Sequence, residues 1–261
     1  MANKNEHCVM KITFLGTGTS TGVPQLNCNC QVCQSTNPKD KRLRSSILIE
    51  IDHTKIIIDC GPDFRTQCIR HKIESFDAIL FTHEHFDHSF GINELRPFRK
   101  ANLYAEKRVL QSFHDSFPYL FGENPYPGAP QLNLFPINEN PFFVNNIQIT
   151  PIRLIHGKLP ILGFRIKDFA YITDFQIIEK SEKEKLKNLD TLIIDVLQQN
   201  PHPSHLKLSD AIELLNELQP KQAYFTHISH KMGLHDEVEK ILPSNYHLAY
   251  DGEILFSTFQ S

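Results

Sequence analysis

The chain has 261 residues, of which 40% are hydrophobic and 22% charged, and its 27 Lys and Arg against 30 Asp and Glu leave a formal charge of −3. Such a length and balance suit one globular α/β domain over residues 1–261 and argue against long nucleic-acid partners, which call for an excess or a run of cations. The nearest run, Lys39-Asp40-Lys41-Arg42-Leu43-Arg44, is short and interrupted by an acid, and reads as a solvated loop.

In chain order, residues 1–10 carry Lys4, Glu6 and His7 where a signal peptide needs an apolar stretch, so a cytoplasmic protein with no membrane span is expected. A strand over 11–15 leads into Gly16-Thr17-Gly18-Thr19-Ser20-Thr21-Gly22-Val23-Pro24, which lacks the Lys of a phosphate-cradling loop and reads as a tight turn. Cys28, Cys30 and Cys33 then crowd one short loop. In a reducing compartment such spacing points to metal binding, with free thiols or a redox cluster as the other readings. Three thiolates are one ligand short of a closed tetrahedral zinc site. Cys8, Cys60 and Cys68 are scattered and read as ordinary thiols.

Strands are expected at 46–51 and 55–58, a helix at 62–71, and a strand at 78–81 that runs into Thr82-His83-Glu84-His85-Phe86-Asp87-His88. Four ligand-type residues in six positions, leaving the end of an apolar strand, can aim imidazoles and a carboxylate at one centre. The donors suit zinc, manganese or iron. A strand at 102–104 and a helix at 106–116 follow, then a stretch over 117–141 rich in Pro, Gly and Asn, expected to be a long loop whose Phe and Tyr residues would suit a homodimer.

Strands at 147–154, 163–166, 169–173, 191–195, 223–226, 247–249 and 254–256 alternate with helices at 181–187, 208–218 and 235–242. Three of these strands end on a further ligand-type residue: His156, Asp174 and His227. His7, His53, His71, His114, His235 and His247 have no assigned partner and read as surface or core histidines.

The series H-x-H-x-D-H, then His156, Asp174 and His227, with Asp59 in Ile57-Ile58-Asp59-Cys60-Gly61, resembles the motifs of the metallo-β-lactamase superfamily over most of the chain. The resemblance implies a four-layer αββα sandwich. It further implies two divalent metals, zinc or manganese: one on His83, His85 and His156, the other on Asp87, His88 and His227, with Asp174 between them. A hydroxide bridging the ions would be the nucleophile, since paired cations acidify bound water and an anionic bridge screens their repulsion. His85 stands where redox-active relatives carry a carboxylate, which disfavours iron chemistry.

The cysteine loop with Thr226-His227-Ile228-Ser229-His230 and Tyr250-Asp251-Gly252 is similar to a subgroup that includes phosphodiesterases of phosphonate breakdown. There a C-x-C-x2-C loop pairs with the histidine three positions beyond the last site histidine, which makes Cys28, Cys30, Cys33 and His230 candidates for a structural zinc. The implied reaction is hydrolysis of a small cyclic phosphodiester such as phosphoribosyl 1,2-cyclic phosphate. Asp87 and His205 are the candidate catalytic residues, because His205 lies where the subgroup places a histidine that is not a ligand and that can protonate the leaving oxygen. His202 is its local rival. Arg44, Ser45 and Arg65 are position-based candidates for a phosphate contact. A nuclease of the tRNA 3′-processing type shares these ligands but carries a basic, glycine-rich arm that is not evident here. A noncatalytic carrier resembling pyrroloquinoline quinone biosynthesis relatives is the reading outside enzymes.

Overall fold

Two sheets face each other in the computed structural model, which describes residues 7–122, 125 and 127–260; the reading at residues 1–6 lies outside them. The first sheet holds β1 (His7–Gly16), β2 (Ser46–Ile51), β3 (Thr54–Ile58), β4 (Ala78–Leu80), β5 (Lys100–Glu106), β6 (Gln131–Ile137) and, from the far end of the chain, β14 (Ile254–Gln260). The second holds β7 (Phe142–Val144), β8 (Ile147–His156), β9 (Leu159–Ile166), β10 (Phe169–Ile172), β11 (Thr191–Asp195), β12 (Gln222–Thr226) and β13 (Tyr246–Leu248). Strand order is β14-β1-β2-β3-β4-β5-β6 in one and β13-β12-β11-β10-β9-β8-β7 in the other.

Burial on both faces explains the near-continuous apolar runs in these strands. One side of each sheet meets the other in a shared core that includes Met10, Ile12, Ile47, Ile58, Leu162, Phe164, Tyr171 and Ile193. The outer sides are covered by helices. Against the first sheet pack α2 (Phe64–His71) and α4 (Lys107–Ser116), through Phe64, Val109 and Phe113. Against the second packs α7 (Leu208–Leu218), through Ala211, Leu215 and Leu218. Shorter helices are α1 (Gln31–Gln34), α3 (Phe86–Ser89), α5 (Pro118–Phe121), α6 (Lys180–Glu184) and α8 (His235–Glu239). This is the expected αββα order.

The stretch 117–141 departs from the expected loop. It contains α5 and the seven-residue strand β6, with residues 123, 124 and 126 outside the described set. Pro136 counted against a strand there, but β6 is the edge of its sheet, where a missing N–H costs no ladder bond. Of the aromatic residues in that stretch, Tyr119 and Phe135 are exposed, whereas Phe117 is buried.

Parallel pairing positions the site. In the first sheet β3 and β4 run parallel, and in the second β10, β11 and β12 do. Their carboxyl ends therefore share one rim, the place where open α/β sheets present functional groups. Asp59, the His83 loop, Asp174, Asp195 and His227 all sit at or just past such ends.

Candidate metal centre

Each donor reaches the rim by a specific local device. Asp59, Asp174 and His227 each leave their strand with positive φ, at 62°, 55° and 60°, a left-handed turn that swings the side chain across the strand end. Asp and His tolerate this region better than most residues, yet it costs of order 1–3 kcal/mol and persists only where the surroundings enforce it. Close packing enforces Asp87: a Cβ on Gly61 would lie 1.9 Å from the Asp87 carbonyl oxygen, so only glycine lets the two loops touch.

Seven side chains meet there. Donor atoms of His83, His85, His156 and Asp174 lie within 4.8 Å of one another, as do those of Asp87, His88, Asp174 and His227. Asp174 belongs to both groups. Its Oδ2 lies 3.5 Å from His83 Nε2 and 3.4 Å from His88 Nε2, while Oδ1 lies 2.8 Å from His227 Nε2. All but His85 and His156 are buried.

Three of the outward ring nitrogens are already engaged. Nδ1 of His88 meets Asp59 Oδ2 at 2.7 Å, that of His83 meets Thr82 Oγ1 at 2.9 Å, and that of His156 meets the Ser204 carbonyl at 3.0 Å. Such contacts fix the tautomer and leave Nε2 free to ligate. Asp59 is itself tied down by the Thr82 N–H at 2.8 Å. By contrast, Nε2 of His83 and His88 is buried without a hydrogen bond, a costly state for a polar atom unless a cation fills the space.

Charge makes the same demand. Burial holds the His83 imidazole well below its ordinary range, so it is neutral. Burial also opposes charge on His88 and His227, but the carboxylates, Asp174 foremost, outweigh it and push both well above that range. Asp87 and Asp174 are held well below the usual carboxylate range, against burial, by those two histidines. The centre couples its carboxylates tightly to its imidazoles, and the donor set of imidazole nitrogens and carboxylate oxygens fits two divalent ions.

The cysteine loop closes on its expected partner. Nδ1 of His230 lies 3.2 Å from Cys28 Sγ and 3.3 Å from Cys30 Sγ, and with Cys33 the four donors lie within 4.8 Å of one another. Backbone N–H groups cradle the sulfurs, from Cys33 to Cys30 and from Gln25 to Cys33. The Cys33 N–H and His230 draw the Cys30 thiol down to about 6, toward the thiolate that metals bind. Burial pushes Cys33 up to about 11, so its ionisation needs a cation nearby. The loop after β1 joins the two clusters, since Thr19 N–H donates to the Ile228 carbonyl at 3.1 Å and Ile228 N–H to that of Thr17 at 2.9 Å.

The His205 ring stacks on His227 with centroids 5.0 Å apart and lies 4.7 Å from His156. His202 lies farther out, 5.0 Å from His205. Three position-based candidates fall elsewhere. Arg44 is committed to Asp63 at 3.1 Å and the Ser20 carbonyl, and buried Ser45 donates to the Gly18 carbonyl at 3.0 Å. Arg65 lines a separate cavity of about 340 Å³ with Phe64, Ile69 and Phe98. His235 is a core histidine, and it has a partner: its Nδ1 lies 3.2 Å from the Arg42 guanidinium.

Sequence reasoning missed Asp195. The carboxylate is wholly buried, with Oδ2 3.3 Å from His205 Nδ1 and Oδ1 3.4 Å from His227 Nδ1. A signal was present, because Asp195 ends an apolar parallel strand as Asp59 and Asp174 do for theirs.

Among the described residues no helix is long and apolar enough to cross a membrane. The family model for a beta-lactamase superfamily domain matches residues 54–228. A solved structure described as a new diphosphatase from the PhnP family superposes with a TM-score of 0.91 at 35% identity, covering 97% of this chain and 99% of that one. A curated relative named octanoyltransferase, from Porphyromonas gingivalis, is 44% identical over 249 residues, 93% of this chain and 51% of the relative. Coenzyme PQQ synthesis protein B from Xanthomonas axonopodis pv. citri is 27% identical over 172 residues, 58% of this chain and 54% of the relative. The chain thus spans about half the length of these curated relatives.

Proposed function

Because this chain belongs to the metallo-β-lactamase superfamily, and within it to the PhnP family, we propose that its rim of histidines and aspartates is a dinuclear metal centre hydrolysing a small phosphodiester. One observation carries the reading: donors from separate segments of the rim converge in two groups sharing Asp174, with the outward nitrogens of His83, His88 and His156 already satisfied. His83, His85 and His156 hold one ion, Asp87, His88 and His227 the other, and Asp174 both. When bound, the ions supply Lewis acidity at a phosphoryl oxygen and water acidic enough to attack at neutral pH.

The chain's own groups do the remainder. Asp59 orients His88, and the Ser204 carbonyl orients His156. His205, beside His156 and His227, hands a proton to the leaving oxygen, with Asp195 as the positioning residue that fixes its ring. Cys28, Cys30, Cys33 and His230 hold a structural zinc that anchors the loop after β1 against Ile228. A small cyclic phosphodiester remains the substrate class in this reading, and the diphosphatase relative adds the diphosphate bond as a near variant of the same phosphorus chemistry. A cytoplasmic setting goes with it, since a zinc held by Cys28, Cys30 and Cys33 needs reduced sulfurs.

The relative named octanoyltransferase motivates an acyl-ester control. The test is hydrolysis of bis(p-nitrophenyl) phosphate, a five-membered cyclic phosphodiester, a dinucleoside diphosphate and p-nitrophenyl octanoate by metal-replete protein. Phosphoester turnover that Asp87→Ala abolishes is the expected result. Octanoate turnover alone, with full metal occupancy, overturns the substrate class.

A further inference from the structure

Asp195 lies between two imidazoles, bonded to His205 but at distances longer than a charge-assisted hydrogen bond prefers. Charge-assisted N–H···O contacts run about 2.7–2.9 Å, whereas His205 Nδ1 and His227 Nδ1 stand 3.3 Å and 3.4 Å from the two oxygens. Asp195 Oδ1 and His227 Nδ1 are moreover buried and make no hydrogen bond. Separations near 3.3 Å are what bonds of about 2.0–2.1 Å impose between neighbouring donors around a tetrahedral ion. The same spacing recurs among donors of the dinuclear centre, at 3.1 Å for His88 Nε2 to Asp87 Oδ2 and 3.4 Å for His227 Nε2 to the same oxygen. Donor atoms of Asp174, Asp195, His205 and His227 also lie within 4.8 Å of one another.

We propose that Asp195, His205 and the Nδ1 edge of His227 form an additional zinc station, filled when zinc is in excess and inhibitory when filled. The inference rests on reading the neighbouring centre as dinuclear. His227 then spans two ions, Nε2 on the catalytic side and Nδ1 on the new one. Its ring proton is released to solvent, whereas that of His205 is replaced by one on Nε2. A divalent ion here faces the repulsion of the pair already present, offset by the carboxylate of Asp195, so it binds more weakly than they do. An imidazole held by an ion through Nδ1 cannot also become an imidazolium, and His205 thereby loses its role as proton donor.

The experiment uses full-length protein loaded with zinc and dialysed against rising free Zn2+, with bound zinc counted by elemental analysis and phosphodiester hydrolysis followed in the same samples. Wild type is expected to hold three zinc ions firmly and to take a fourth at a free concentration at least about tenfold higher, losing activity in step. His205→Gln and Asp195→Asn are expected to stop at three. His205 is only partly buried, so its variant keeps the test decisive if Asp195→Asn fails to fold. A wild type that stops at three overturns the station alone, and so does a fourth ion retained by both variants. A wild type holding zinc only at its cysteines overturns the dinuclear reading together with this one.

Discussion

The two donor clusters are built in opposite ways. Around Asp174 the donors stand at or just past the ends of packed strands or, for Asp87 and His88, on the short α3, most are buried, and each outward nitrogen of His83, His88 and His156 is held by a neighbour. Around Cys30 the three cysteines stand on a loop that carries the four-residue α1, and Cys28, Cys30 and His230 are half-buried. A centre that must hold reacting groups to fractions of an ångström is given a scaffold that exists without it. The cysteine cluster is instead the scaffold for its own loop, and an ion bound there contributes folding free energy directly.

That contrast can be broken by mutation. Asp174→Ala, which removes the one carboxylate common to both donor groups, is expected to empty the dinuclear centre and lower turnover to background while one zinc stays on the cysteines. Metal counting and thermal melting together decide, and a melting point that collapses with the activity would erase the distinction. His205→Ala should slow substrates with poor leaving groups about 10²- to 10⁴-fold while sparing nitrophenyl esters, whose leaving group needs no proton. Equal losses on both would remove the proton donor from the scheme.

Cys33→Ser works in the other direction. Loss of zinc there should lower the melting temperature by about 5–10 °C, with turnover reduced less than tenfold through the tether to Ile228. The smallest effect sharpens the comparison on the cysteine side. Burial, with Arg42 and Lys39 nearby, lowers the His235 imidazole from 6.5 to about 4. Between those values the unfolded chain binds the proton that the folded one refuses, so stability falls as pH drops from about 6.5 to about 4 and falls no further below. The loss should be about 1–3 kcal/mol by denaturant titration, and His235→Phe should flatten it.

Much of this was legible in the residues. Periodicity alone marks β2, β11 and α7 at their observed bounds, because apolar runs bounded by turn residues leave little choice. The candidate ligands were legible because each follows such a run. β6 was not, since Gln131-Leu132-Asn133-Leu134-Phe135-Pro136-Ile137 combines weak alternation with a proline that only an edge position tolerates. Nor was Asp195, whose meaning comes from two histidines that lie 10 and 32 positions further along the chain. The left-handed turns at Asp59, Asp174 and His227 were hidden for a related reason: nothing local favours them, and the packed rim imposes them.

The pairing of β1 with β14 sets His7 opposite Gln260, at the end of the sheet away from Gly16 and the rim. Some ten residues of strand, about 30 Å at 3.3 Å per residue, separate those two partners from the chemistry. A short peptide joining His7 to Gln260, with a break opened in a surface turn, is therefore expected to give a permuted chain with an undisturbed centre.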